Sequence, residues 1–180
     1  NLLKPQDGAP VTVPSQDMVL GAYYLTMARA SEKGAIVRDE EGNIIGGKIF
    51  ADKNEALLAY NDGVIGMHAP IRVRVTKEVN GEMKTGIIDA TVGRLIFNEA
   101  VPQDLGFVDR TDPSRELDLE VTFTCGKKQL GQIIQKAIIK HGFAETAALL
   151  DRIKSLGYKY STIGAITVSA ADMSLPQKKY

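Results

Sequence analysis

Apolar and polar positions along this chain fall into short blocks whose spacing changes from helical to alternating and back. Leu20, Tyr23, Tyr24 and Met27 recur at helical spacing. Ser15 is placed to cap that helix and Asp17 puts a negative charge in its first turn, so a helix is predicted from Ser15 to about Ala30. Before it, Pro5, Gly8, Pro10 and Pro14 predict an extended, turn-rich arm. Ile36-Val37 and Ile44-Ile45 flank the polar run Asp39–Asn43 and predict a small hairpin, read as a surface insertion. Asp52 to Glu55 resembles a capping box, Leu57, Leu58 and Tyr60 give the helix behind it an apolar face, and Gly63 is its expected stop.

Ile71, Val73 and Val75 alternate with Arg72, Arg74 and Thr76, which is the clearest strand pattern in the chain. Asn80-Gly81 predicts a type I′ turn and a return strand over 84–90. Thr91 then caps a short helix over 92–99 with Leu95 and Ile96 inward, and 102–118 is expected to be a loop. Leu117, Leu119, Val121 and Phe123 alternate as a strand or a tight extended segment. From Lys127 the pattern turns helical, with Leu130, Ile133, Ile134, Ala137 and Ile138 on one face until Gly142 breaks it. A second helix over 143–156 presents Ala147, Leu150, Ile153 and Leu156 and is expected to stop at Gly157, with a final strand through Ile163, Ile166 and Val168. The fold class is α+β: mixed short strands and helices, with a C-terminal helical pair and final strand. The expected division is 1–125 (arm, helix and small sheet) and 126–180 (helical pair and strand).

Composition narrows the function. Lys plus Arg and Asp plus Glu are each 22, so the chain lacks the basic excess of a free-standing nucleic-acid binder, and any such contact is local or belongs to a larger assembly. Trp is absent, which disfavours stacking surfaces for single strands. The single Cys125 cannot form an internal disulfide and suits a reducing cytoplasm. No apolar run approaches the ~20 residues of a membrane helix. His68 and His141 are read as structural, and two His with one Cys give no zinc spacing. No P-loop or nucleophile elbow is present. The carboxylates of Asp39, Glu40, Glu41, Asp109 and Asp112 are read as solvated loop residues.

Four collinear stretches carry a resemblance. They are Pro14-Ser15-Gln16-Asp17-Met18-Val19-Leu20-Gly21; Tyr60-Asn61-Asp62-Gly63-Val64-Ile65 with His68-Ala69-Pro70-Ile71-Arg72-Val73-Arg74-Val75; Thr91-Val92-Gly93-Arg94-Leu95-Ile96-Phe97-Asn98-Glu99; and Asp151-Arg152-Ile153-Lys154-Ser155-Leu156-Gly157-Tyr158 continuing to Asp172-Met173. Together they resemble the largest (β′) subunit of bacterial DNA-directed RNA polymerase, just beyond the catalytic loop Asn-Ala-Asp-Phe-Asp-Gly-Asp. The absence of Met at residue 1 agrees with a piece cut from something larger.

The resemblance implies an internal fragment of the pore and early funnel, lining the secondary channel through which nucleoside triphosphates enter and the RNA 3′ end is extruded. The parent enzyme is a nucleotidyltransferase, and the fragment alone is expected to be inactive. Its magnesium would be bound by residues upstream of Asn1, with no cofactor or metal ligand in this chain. Implied partners are the remainder of β′, β and other polymerase subunits, the RNA 3′ end, nucleoside triphosphates and secondary-channel transcription factors, in the cytoplasm and without a membrane. No residue here is expected to be catalytic. Gln16, Asp17, Lys127 and Lys128 are the candidates near the active centre or secondary channel. Lys127 and Lys128 carry positive charge at a helix start, where it is slightly unfavourable unless a phosphate accepts it. Arg94 is expected to be a structural anchor. The rival reading is a stand-alone, non-catalytic binding module that recruits a partner through the Lys127–Lys140 helix.

Overall fold

A computed structural model describes the backbone of residues 14–178 and the side chains of residues 14–160. The predicted N-terminal arm lies outside the described residues. The chain is α+β and divides into two compact units, one comprising Leu25–Thr124 and the other taking in the chain up to Tyr24 and from Cys125 onward.

The sheet unit is built on one hairpin. Strand β4 (Ile71–Val79) pairs antiparallel with β5 (Glu82–Ala90) in unbroken register from Ile71↔Ala90 to Val79↔Glu82. The turn between them holds Asn80 at φ 52° and Gly81 at φ 85°, the two left-handed residues a type I′ turn requires. Before the hairpin, β1 (Val37–Arg38) and β2 (Ile44–Gly46) form the small antiparallel pair that the pattern predicts. The pattern did not show β3 (Ile49–Phe50), which lies parallel to the start of β4. Helix α2 (Lys53–Asn61) starts at Asp52, whose carboxylate accepts from the Glu55 N–H at 2.8 Å while Glu55 reaches back to the Ala51 N–H at 3.1 Å. Helix α3 (Val92–Ala100) starts at Thr91, whose hydroxyl accepts from the Arg94 N–H at 3.1 Å. Val73, Val92, Phe97 and Val121 are fully buried in this unit.

Residues 117–123 form no strand: 117 lies in a turn, 118, 120 and 123 in bends, and no ladder runs through them. The side-chain amides of Asn98 and Gln103 take the place of a partner strand, as described below.

Helix α1 (Gln16–Thr26) lies in the helical unit up to Tyr24, its last two residues belonging to the sheet unit, and it starts at Ser15, whose hydroxyl accepts from the Met18 N–H at 3.3 Å. The buried face differs from the predicted stripe. Met18, Ala22 and Leu25 are buried, while Leu20 and Tyr23 are about half exposed. Small residues decide this. A Cβ at Gly21 would overlap the Gly157 Cα, and a Cβ at Gly157 would lie 2.9 Å from the Asp17 carbonyl oxygen. Two backbones in contact leave no room for the larger stripe on the inner side. Gly157 is therefore a crossing point and does not stop a helix.

Helix α4 (Lys127–Lys178) starts where predicted and breaks at Gly142, with φ 84° and ψ −179°. Its first part buries Leu130, Ile133, Ile134 and Ala137. Its second part buries Thr146, Leu149, Leu150, Ile153 and Tyr160, a stripe shifted from the predicted one. The final strand predicted through Ile163, Ile166 and Val168 is corrected: the backbone stays helical to Lys178. Ile163 and Ile166 are also three apart, and Ala165, Ala170 and Ala171 favour helix over the β-branched preference for strand. Among the described residues no helix is long and apolar enough to cross a membrane.

Candidate functional site

The densest polar arrangement is a loop, 102–121, held against the inner face of the hairpin. Glu120 is fully buried, and its carboxylate pairs with the Arg110 guanidinium at 2.8 Å and accepts from the Phe107 N–H at 2.6 Å. Arg110 also donates to the carbonyls of Glu116 at 2.8 Å, Asp118 at 2.6 Å and Gln103 at 3.3 Å. One planar five-donor group thus ties four loop positions together, and the buried charge is paired as burial requires. The Phe107 and Phe123 rings meet at a tilt of 53° with their centroids 5.3 Å apart.

The amides complete the loop. Asn98 donates to the Val121 carbonyl at 3.0 Å and accepts from the Val121 N–H at 2.9 Å, the two bonds a neighbouring strand would supply. Gln103 accepts from the Glu120 N–H at 2.9 Å and donates to Asn98 Oδ1 at 3.1 Å. Two lysines reach in from the hairpin. Lys77 donates to the Asp118 carbonyl at 3.2 Å, and Lys84 pairs with the buried Glu116 at 3.2 Å. Burial, aided by the Arg110 charge, pushes the Lys77 ammonium down to about 8, against the opposing pull of Glu120 and Asp118. Burial raises the Asp118 carboxyl.

Sequence reasoning missed Lys77, Asn98, Gln103, Arg110 and Glu120. Two of them leave a signal. Glu120 is a carboxylate between apolar Leu119 and Val121, and Lys77 takes the inward position that follows Ile71, Val73 and Val75.

The predicted candidates lie elsewhere. Gln16 and Asp17 are exposed in the first turn of α1, and Lys127 and Lys128 are exposed in the first turn of α4. Arg94 donates to the Thr26 carbonyl at 2.7 Å, in the last turn of α1, where positive charge suits the helix dipole. Burial lowers its pKa. Arg72 is half-buried, and its Nε has no hydrogen-bond partner among the described residues, while Arg74 is exposed. His68 is buried with its Nδ1 3.0 Å from Glu32.

The described residues do not fit a magnesium site. No three His, Cys, Asp or Glu side chains among them could hold a metal ion. The loop carboxylates are spent on turns: Asp39 accepts from Glu41 and Asn43 N–H groups, Asp109 from Thr111 and Asp112 from Ser114. These bonds hold all three carboxyls below their ordinary values.

Within the Leu25–Thr124 unit, a hairpin whose charged groups brace a loop describes a structural scaffold. The chain belongs to the family of RNA polymerase Rpb1, domain 3, whose model matches residues 1–173. In particular it is similar to DNA-directed RNA polymerase subunit beta′. It is 54% identical over 179 residues to that of Acetivibrio thermocellus, 99% of this chain and 14% of the relative. It is 51% identical over 179 residues to that of Clostridium novyi, again 99% of this chain and 14% of the relative. It is 52% identical over 180 residues to that of Clostridium perfringens strain 13, 100% of this chain and 14% of the relative.

Proposed function

We propose that this chain is the part of a bacterial RNA polymerase β′ subunit that lines the secondary channel and supports DNA-templated RNA synthesis in the cytoplasm. The observation that carries the reading is the unbroken similarity to beta′ subunits, at 52% identity over all 180 residues. Catalytic magnesium is then held by residues outside this chain, and the nucleotidyl transfer belongs to the assembled enzyme with the remainder of β′, β and the other subunits. Exposed Lys127 and Lys128 support a channel role. Two ammonium groups and the free N–H groups of a helix start match the phosphates of an incoming nucleotide or an extruded RNA 3′ end. Gln16 and Asp17, exposed at the other helix start of the same unit, are the polar groups proposed to face the channel.

The test is Lys127→Ala with Lys128→Ala in full-length β′, assembled into polymerase. Losing a charge-assisted phosphate contact costs about 1.5 kcal/mol, so the nucleotide KM or the rate of backtracked-RNA cleavage should change about tenfold. An assembled enzyme in which both are unchanged overturns the assignment of these lysines. A chain that does not assemble with polymerase subunits at all overturns the reading.

A further inference from the structure

Strand β3 covers only the beginning of β4. It pairs at Ile49↔Arg72 and Phe50↔Val73, and the chain then turns away into α2. On the other side, β5 runs the whole length of β4. From Arg74 to Val79 the outer edge of β4 has no strand beside it among the described residues, and no loop backbone bonds to it. Alternate N–H and C=O groups stand open over six residues, the length of an ordinary strand. Alongside lies a groove of about 630 Å³. Its apolar lining is Ala51, Val75, Leu95, Val101 and Leu119; Arg74 and Lys77 bring positive charge to the β4 side, and Asp52 and the Lys53–Glu99 pair also line it.

We propose that this edge accepts an extended strand from elsewhere in the assembled polymerase, apolar where it faces Val75 and acidic where it faces Lys77. Main-chain bonds to β4 supply the attachment, and side chains at alternate positions supply the selectivity. Charge complementarity identifies the occupant. Lys53 is already paired with Glu99 at 3.6 Å, whereas neither Arg74 nor Lys77 has an ion pair among the described residues. An inward lysine on an open edge repels an indiscriminate apolar strand and admits one that carries a carboxylate. A carboxylate there also restores the ammonium that burial disfavours.

The inference rests on the reading that the chain works inside a polymerase. The test compares amide hydrogen exchange of 74–79 in full-length β′ within the assembled enzyme and in the 180-residue chain. Exchange should slow about tenfold or more on assembly. Lys77→Glu in β′ should return it to the rate of the isolated chain while 82–90 stays protected. Equal exchange in both states, or loss of protection across the whole hairpin in the variant, overturns the proposal. A photo-crosslinker placed at Thr76 should join an extended, acid-bearing segment of the polymerase. An adduct to residues 1–13 of the same chain, to a second copy or to nucleic acid, or no adduct, overturns it. Failure to assemble sinks the polymerase reading as well, whereas an assembled enzyme with an open edge sinks only this inference.

Discussion

Replacing Asn98 with Leu tests the claim that side-chain amides stand in for a strand. The two side chains share the same branched heavy-atom skeleton, with Leu the bulkier, and the pair of bonds to Val121 disappears. Val121 is fully buried and Asn98 is 5% exposed, so water does not reach the abandoned N–H and C=O. Each buried group left without a partner costs about 1–3 kcal/mol, so the pair costs roughly 2–6 kcal/mol. The Arg94 carbonyl, which accepts from the same Asn98 amide at 2.8 Å, keeps a place in its helix and adds little. In a chain of this size that loss lowers Tm by about 4–24 °C. The assay is urea unfolding of wild type, Asn98→Leu, Gln103→Leu and the double variant. Because Gln103 bonds to Asn98 and to the Glu120 N–H, the cycle should show a coupling of about 0.5–3 kcal/mol. Hydrogen exchange at the Val121 amide should accelerate in the variant, with β4 and β5 unchanged. A destabilisation below about 0.5 kcal/mol, the range of ordinary surface substitutions, would refute the reasoning.

Gly157→Ala should destabilise by about 1–3 kcal/mol in denaturant unfolding, because its methyl meets the Asp17 carbonyl and the Met18 Cα at 2.9 Å. Gly131→Ala, where nothing lies within 4 Å, should be neutral or stabilising, and equal effects at the two sites would disprove the crossing. Lys77→Met should change how stability depends on pH. The folded ammonium titrates near 8 and the unfolded one near 10.5, so below pH 8 both states are protonated and the burial penalty is fully present. Between these values the unfolded state holds the extra proton, and wild-type stability rises with pH. The stability advantage of Lys77→Met should therefore shrink from pH 7 to pH 10, and a constant difference between the two proteins would contradict the assignment.

Local rules made much of the fold legible. Ser15, Asp52 and Thr91 cap the helices they precede in the sequence, and Asn80-Gly81 turns the hairpin, because caps and tight turns depend on a few adjacent residues. What failed depends on distant residues. The exposed Leu20 and Tyr23 could not be told from core without knowing that Gly157 meets Gly21. The run 117–123 looked like a strand because Leu117, Leu119, Val121 and Phe123 alternate, but Val121 is paired with a side chain on α3 instead of a strand. Ile163, Ile166 and Val168 carried a strand preference over a spacing that also fits a helix, and helix is what forms. The polar bracing was hidden for a similar reason: Arg110 and Glu120 are ten residues apart, and Glu120 takes a polar position in the 117–123 alternation, where a carboxylate reads as exposed.

The meeting of Gly21 and Gly157 also bears on the order in which the chain is made. The first half of α1 is synthesised well before the surface it packs against, which includes Gly157. All of Leu25–Thr124 is synthesised in between and contains its own hairpin, capped helices and braced loop. The middle of the chain can therefore settle while the early helix waits with Met18 and Ala22 uncovered, and the helical unit closes last. During that interval Met18 is the largest apolar side chain that this face of α1 leaves uncovered.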